Sequence, residues 1–358
     1  MKRRNRPTIV LSGFFGRGNC GDEAILQAQY EALSPEFDIV ISVDERGAYD
    51  GFWNWYPYDR CRIVHQANLS VLADPAIVGI HVGGGGLPHG FNAAQVVYAR
   101  SLDKLACLSG VDAAPARSPA AAQAIASYVR LFSKVILRSE ASWNTMARLA
   151  QNSQRGADWA VGFPTDGAEE GIEQSGDVVV TIREFPDEFI SSRYLSDVAE
   201  LFRILAGGHR RVVLLPFCPE DERFLDRLPP AARLHREIHW WNPRRVQRCI
   251  ATASRVVSLG RLHPLIFAAN VGTPAAFAEP LAGESRWASC AKARDLCVEH
   301  GWAYHASLSE LIARLRDHHD LWPRSSFLEG THGRWQVMAS EIMTMFQVHG
   351  RDQRDMAA

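Results

Sequence analysis

Between residues 254 and 277 the chain reads Ser-Arg-Val-Val-Ser-Leu-Gly-Arg-Leu-His-Pro-Leu-Ile-Phe-Ala-Ala-Asn-Val-Gly-Thr-Pro-Ala-Ala-Phe. This stretch restricts the fold more than any other. Val256 and Val257 lie in a short apolar run that reads as a buried strand, and Gly260 breaks it. Pro264 suits the first turn of a helix, where its missing N–H costs nothing. Leu265 to Ala269 continue that helix, and Gly272-Thr273-Pro274 ends it. Arg261 and His263 therefore fall on the turn from a strand's carboxyl end to a helix's amino end, which is where open α/β sheets bind ligands. A helix amino end already offers free N–H groups and a partial positive charge. With an arginine and a histidine added, the turn suits a phosphate or a carboxylate. The same residues fit equally well as a surface arginine and a capping histidine in an ordinary connection.

The strand-then-helix alternation recurs on both sides of this stretch. At 358 residues the chain is long for one core, so two domains are expected. Residues 167–176 are glycine-rich and acidic without apolar period and read as the linker. Domains are therefore expected over 1–170 and 177–330, with a terminal amphipathic helix from 331 and a disordered tail over 350–358. An apolar fraction of 47% and a charged fraction of 22% are those of a globular protein. A formal net charge of −1 gives no global case for nucleic acid or an anionic membrane. Seven cysteines with no CxxC pair suit a reducing compartment. No apolar run approaches the roughly 20 residues that span a bilayer, and the expected location is cytoplasmic. The basic start, Met-Lys-Arg-Arg-Asn-Arg, allows at most peripheral membrane contact.

In the first half, Thr8–Ser12 reads as a strand. It is followed by Gly13-Phe-Phe-Gly-Arg-Gly-Asn-Cys-Gly-Asp-Glu23 and a helix from about Asp22. Gly16, Gly18 and Gly21 match the dinucleotide pattern by the letter, with Asp44 at the end of the next strand, Asp38–Val43. Asp22 and Glu23 would sit in the first helical turn, where they suit the helix dipole but repel a pyrophosphate. Residues 45–60 are rich in aromatics and suit either sugar stacking or a satellite cluster under a loop. A strand at Ile77–Val82 ends in four glycines, Gly83 to Gly86, which allow close approach of a ligand and can form an anion nest. A strand at Lys134–Leu137 ends in Arg138, and residues 158–163 read as the element closing the first sheet.

In the second half, Asp177–Ile182 ends in Arg183. Arg211–Pro216 is a strand, followed by Glu220-Asp221-Glu222 opening a helix, and 237–241 reads as a short strand. Arginines thus stand at three strand ends, 138, 183 and 261. Together they suggest a cationic site for a small multiply charged anion, because the planar guanidinium fork binds phosphate and carboxylate bidentately. His300, His305, His318 and His319 show no firm ligand spacing, and no metal is expected.

Gly-Arg-Leu-His followed by Leu-Ile-Phe-Ala-Ala and Gly-Thr-Pro resembles the signature of the polysaccharide pyruvyl transferases. The opening Gly-Phe-Phe-Gly-Arg-Gly-Asn-Cys-Gly-Asp-Glu and the strand with its Gly-Gly-Gly-Gly-Leu are similar to that family as well. Arg138-Ser139-Glu140 stands where Arg-Asp-Glu is more usual. The resemblance covers most of residues 8–345. It implies an α/β fold of two Rossmann-like domains facing across a cleft, similar to the GT-B architecture of glycosyltransferases.

It also implies an enzyme that moves the enolpyruvyl group of phosphoenolpyruvate onto a sugar as a cyclic ketal and releases phosphate, with no cofactor. The first domain would serve the acceptor, lined by Gly16, Gly18, Asn19, Gly84 and Gly85, with Asp22 or Glu23 as base. The second would hold phosphoenolpyruvate through Arg261, Leu262, His263 and Arg183, joined by Arg138. His263 would be the acid, since imidazole titrates near neutrality. Residues 281–291 depart from the family, so its anion-binding lysine matches Lys292, with Arg286 as substitute. The acceptor the resemblance implies would be a sugar of an exopolysaccharide or its precursor, free, lipid-linked or nucleotide-bound. The rival readings are a GT-B glycosyltransferase using a nucleotide sugar, a non-catalytic anion- or sugar-binding protein, and a dehydrogenase binding NAD(P).

Overall fold

The computed structural model describes residues 6–44, 54–87, 92–113, 118–165, 175–186, 190–228, 234–280, 288–317, 322 and 329–357. The chain divides into two compact units. The first comprises Met1–Arg17, Asp22–Phe163 and Glu329–Ala358, and the second Gly18–Gly21 and Pro164–Leu328. Each is a parallel sheet flanked by helices. The proposed linker lies almost wholly outside the described residues.

The first unit runs β1 (Thr8–Ser12), α1 (Cys20–Leu33), β2 (Asp38–Val43), β3 (Arg62–His65), β4 (Ile77–Gly83), β5 (Gly86–Leu87), α2 (Ala93–Ser101), β6 (Leu105–Ala113), α3 (Pro119–Val129), β7 (Lys134–Leu137), α4 (Glu140–Met146) and β8 (Ser153–Arg155). The order across the sheet is β3-β2-β1-β4-β6-β7-β8, with β5 beside β6. Every residue of β4 and β6 is buried, as expected of central parallel strands covered on both faces. His81 in β4 is a core histidine. Its Nε2 lies 2.6 Å from Ser109 Oγ, and burial pushes its pKa down to about 3, so it is neutral.

Residues 158–163 are not a strand. They form a 3-10 turn over Trp159–Gly162, because Asp158 caps it by accepting the Ala160 N–H at 2.8 Å. The edge of the sheet is β8 instead.

The second unit runs β9 (Val178–Ile182), α5 (Ser192–Gly208), β10 (Val212–Leu214), α6 (Pro219–Leu225), β11 (Leu234–Arg236), α7 (Pro243–Thr252), β12 (Arg255–Leu259), α8 (His263–Val271), β13 (Ala275–Ala278), α9 (Ala288–His300), β14 (Ala303–His305) and α10 (Leu308–Arg316). Its order is β11-β10-β9-β12-β13-β14. The strand expected at 237–241 lies earlier, since Val212–Leu214 pair in register with Leu234–Arg236. Serine or asparagine side chains cap α5, α7 and α10, satisfying N–H groups that the first turn leaves over.

A last helix, α11 (Glu329–Ala357), belongs to the first unit. The tail expected to be disordered over 350–358 is therefore helical as far as Ala357. Met338, Ile342 and Phe346 are buried. A Cβ on Gly162 would fall 2.0 Å from the indole of Trp335, and one on Gly79 2.7 Å from Phe346, so glycine at both places lets the helix dock.

Candidate active site

In each sheet the order in which strands are added reverses once. In the second unit the chain steps from β9 outward through β10 to β11, then returns to the other side of β9 and steps outward through β12, β13 and β14, all strands parallel. The switch therefore lies between β9 and β12, where doubly wound sheets open a crevice at their carboxyl ends. The register pairs Leu259 with Ile182, so Arg183 and the Gly260-Arg261 turn emerge side by side. The Arg183 N–H donates to Leu259 O at 3.0 Å. Gly260 has φ +83°, and a Cβ there would meet Phe185 at 3.1 Å and Arg183 at 3.3 Å. Glycine is needed for both reasons.

Arg261 is held rigidly. Its Nε donates to Asp221 Oδ2 at 2.9 Å and its Nη2 to Asp221 Oδ1 at 2.6 Å and Cys218 Sγ at 2.8 Å. Asp221 is 1% exposed and also accepts the Glu184 N–H at 3.0 Å and the Phe217 N–H at 3.2 Å. One buried carboxylate thus fixes the guanidinium and the loops after β9 and β10. Ser258 Oγ donates to Arg261 O at 2.5 Å, fastening the turn from beneath. Burial raises the Glu184 carboxyl above the ordinary range.

His263 opens α8, with Leu262 at the N-cap and no side-chain cap. Leu262 is buried, which leaves its backbone as the part on the turn between strand and helix. The short segment Gly18–Gly21 belongs to this unit. The Cys20 N–H donates to Phe217 O at 2.8 Å, and Asn19 Oδ1 accepts the Gly21 N–H at 3.1 Å. A Cβ on Gly21 would stand 2.0 Å from His263 Nδ1. Asn19 and His263, far apart in sequence, are thus brought to one place. Lys292 is half-buried in the second turn of α9, and Arg286 lies outside the described residues.

In the first unit several expectations change. Arg138, expected to hold an anion, is 4% exposed and turned inward. It donates to Asp112 Oδ2 through Nε at 2.6 Å and through Nη2, and to Asp158 Oδ2 through Nη1 at 2.6 Å. Burial opposes its charge, but the two carboxylates hold it permanently protonated. Its fork ties β6, β7 and the 158–163 turn together.

Glu23, expected as a base, is 3% exposed. It accepts the Gly16 N–H at 2.9 Å and the Tyr58 hydroxyl at 2.5 Å. Burial pushes its pKa up to about 8. It latches the glycine loop instead of facing solvent, and Asp22 beside it is also buried.

Gly16 and Gly18 both have positive φ, +74° and +73°. Arg17 pairs with Asp44 and lies 4.3 Å over the Phe14 ring. The Gly16 N–H and the strand-end acid that a dinucleotide would use are both engaged by the loop itself. Gly84 and Gly85 adopt φ +77° and +78°. The Gly84 N–H donates to Ser109 O at 3.3 Å, and Gly85 O accepts the Asp112 N–H at 3.0 Å. One N–H of the expected anion nest, that of Gly84, is thus spent on β6, and Gly84 lines a small recess with Gly13, Phe14, Gly86 and Asn92. Of the aromatic stretch 45–60, residues 45–53 lie outside the described residues, and Tyr58 is buried against Glu23.

Among the described residues the gathered metal-ligating side chains are Glu237, His239 and Cys249, which stand beside the edge strand and not at the 183–261 turn. No described helix is long and apolar enough to cross a membrane.

The sequence model of a family described as polysaccharide pyruvyl transferase matches residues 19–278, more than half of the chain. No curated protein sequence matches. Solved structures share the fold. The UDP-GlcNAc 2-epimerase of Neisseria meningitidis, bound to UDP-GlcNAc, is 12% identical, with 96% of this chain and 99% of that one covered and a TM-score of 0.63. The Methanocaldococcus jannaschii UDP-GlcNAc 2-epimerase is 10% identical over 95% and 99%, with a TM-score of 0.62. MurG of Acinetobacter baumannii is 11% identical over 95% and 99%, with a TM-score of 0.53. These likenesses identify a GT-B-type α/β fold.

Proposed function

Because the chain belongs to the polysaccharide pyruvyl transferase family, we propose that it transfers a pyruvyl group from phosphoenolpyruvate to two hydroxyls of a sugar as a ketal. The observation that carries this reading is the arginine pair at the switch point of the second sheet. Arg183 and Arg261 emerge from neighbouring strands, and Asp221 fixes one of them. The donor's phosphate and carboxylate are the two anions such a pair suits. The amino end of α8, which has no side-chain cap, adds a partial positive charge.

In this mechanism the methylene carbon takes a proton from His263, and C2 becomes electrophilic. The first sugar hydroxyl bonds to C2 and gives its proton to His263, restoring the imidazolium. The C2–O bond to phosphate then breaks with both electrons on oxygen. The second hydroxyl bonds to C2, and its proton leaves with the phosphate. The arginines stabilise the phosphate as its charge grows, in the manner of a preorganised oxyanion site.

Calorimetry of phosphoenolpyruvate on the wild type, Arg183→Ala and Arg261→Ala tests the reading, with a UDP-sugar and NAD as controls. Binding of phosphoenolpyruvate alone, lost in both variants while circular dichroism is unchanged, is the expected result. Binding of the UDP-sugar instead overturns the reading in favour of a glycosyltransferase.

A further inference from the structure

Leu234-His-Arg-Glu-Ile-His239 places a histidine, a glutamate and a histidine at every second position of an extended segment, so the three share one face. The Glu237 carboxylate spans the two rings. His235 Nε2 lies 2.9 Å from Oε1 and His239 Nε2 2.8 Å from Oε2. Cys249 comes from α7 to the same place. The ligand atoms of Glu237, His239 and Cys249 all lie within 4.8 Å of one another. We propose that His235, Glu237, His239 and Cys249 form a Zn2+ site that clips the edge strand β11 to α7.

Three properties of these side chains suit zinc. First, two imidazoles, a carboxylate and a thiolate match the borderline-soft preference of zinc, and their number is that of a closed structural site. Second, the charges balance. A thiolate and a carboxylate cancel the two charges of the ion, which lowers the cost of holding it in a half-buried position. Third, the spacing is nearly right. Zinc bonds of about 2.0–2.3 Å put tetrahedral ligands roughly 3.3–3.8 Å apart, so side-chain rotation of about 1 Å closes Glu237, His239 and Cys249 around an ion, and His235, held on the other oxygen of the same carboxylate, swings in as the fourth ligand.

His239 is largely buried, with 12% side-chain exposure, and its Nδ1 has no hydrogen-bond partner. That ring is not fixed by a second hydrogen bond and can turn toward a metal. Without an ion, burial and then the Glu237 charge raise the Cys249 thiol to about 11, opposed by Arg245. It therefore stays protonated at neutral pH, and binding zinc displaces that proton.

The untagged full-length chain, stripped with chelator and titrated with Co2+, tests the site. One equivalent is expected to give a thiolate-to-cobalt charge-transfer band and visible d–d bands, both removed by Zn2+. Cys249→Ser is expected to lose the charge-transfer band. Glu237→Gln is expected to bind at least about tenfold more weakly, as loss of one contact around a metal does. Circular dichroism and thermal unfolding check that both variants fold, and zinc is expected to raise the melting temperature of the wild type alone. Absence of a thiolate band in the wild type overturns the site, as does the same band persisting in Cys249→Ser or tight binding unchanged in Glu237→Gln.

Discussion

The Cα of Gly21 is packed against the imidazole of His263, so that a Cβ on residue 21 would stand 2.0 Å from Nδ1. A residue of the opening glycine loop thereby sets where the histidine at the head of α8 can rest. Gly21→Ala must push the ring aside. We expect a stability loss of about 1–3 kcal/mol, but a fall in pyruvyl transfer of about a hundredfold, the scale of an ångström-sized displacement at a reacting centre. Chemical denaturation beside steady-state turnover separates the two. Full activity in Gly21→Ala would remove His263 from the chemistry.

Asp221 positions Arg261 without being exposed to a ligand itself. Asp221→Asn keeps an acceptor for the Glu184 and Phe217 N–H groups but sets an amide against the guanidinium. Phosphoenolpyruvate affinity is expected to fall by at least about tenfold, or about 1.4 kcal/mol, in calorimetry. Unchanged affinity would show that Arg261 needs no such anchor.

Removing Arg138 leaves Asp112 and Asp158 buried without their cation. Arg138→Met is expected to cost about 3–5 kcal/mol of stability, read as a lower denaturant midpoint. Loss of activity at unchanged stability would instead return Arg138 to a ligand-binding role.

Glu23 makes stability depend on pH. Burial raises its pKa from 4.5 to about 8, so between these values the folded chain holds a proton that the unfolded chain has released. Stability contributed here is present below the unfolded pKa and is lost as pH rises to about 8, with a slope of at most about 1.4 kcal/mol per pH unit. Glu23→Gln mimics the protonated acid, donating to Tyr58 and accepting from Gly16. Denaturation of both proteins from pH 5 to 8 should show the wild type losing stability relative to the variant. Parallel curves would mean that Glu23 titrates normally.

Phe346 is fully buried and packs edge-on against Phe37 at 6.1 Å. Phe346→Ala is expected to cost about 3–5 kcal/mol in thermal or denaturant unfolding. A cost near zero would mean that α11 docks without it.

Buried parallel strands announce themselves in the sequence, because each is a short apolar run between breakers. Thr8–Ser12, Asp38–Val43 and Lys134–Leu137 are strands at the residues expected. Leu105–Ala113 escapes such a reading, since Ser109, Gly110 and Asp112 interrupt its apolar character. Ser109 is there to serve His81 and Trp159.

Residue type and strand periodicity place Arg183 and Arg261 at strand ends, where the fold has them; which strands flank the switch point is fixed only by the sheet order. Type and periodicity could not tell Arg138 apart from those two. Its partners lie 26 and 20 residues away, and no spacing rule connects them. For the same reason Glu220-Asp221-Glu222 reads as three acids favouring a helix dipole, whereas the fold turns the middle one inward to grip Arg261. The alternation His-x-Glu-x-His at 235–239 escapes a reading of 237–241 as a plain short strand. The cysteine that completes it arrives from the next helix.

The return of α11 to the first unit bears on the order in which the protein is built. Residues 164–328 are contiguous and nearly complete the second unit, so they can collapse while synthesis continues. The first unit begins sooner but waits for its final helix. Until Trp335, Met338, Ile342 and Phe346 arrive, Gly162, Gly156 and Gly79 lie in an uncovered groove. The half of the molecule that starts first is therefore finished last, and it is the half whose apolar surface the growing chain leaves exposed longest.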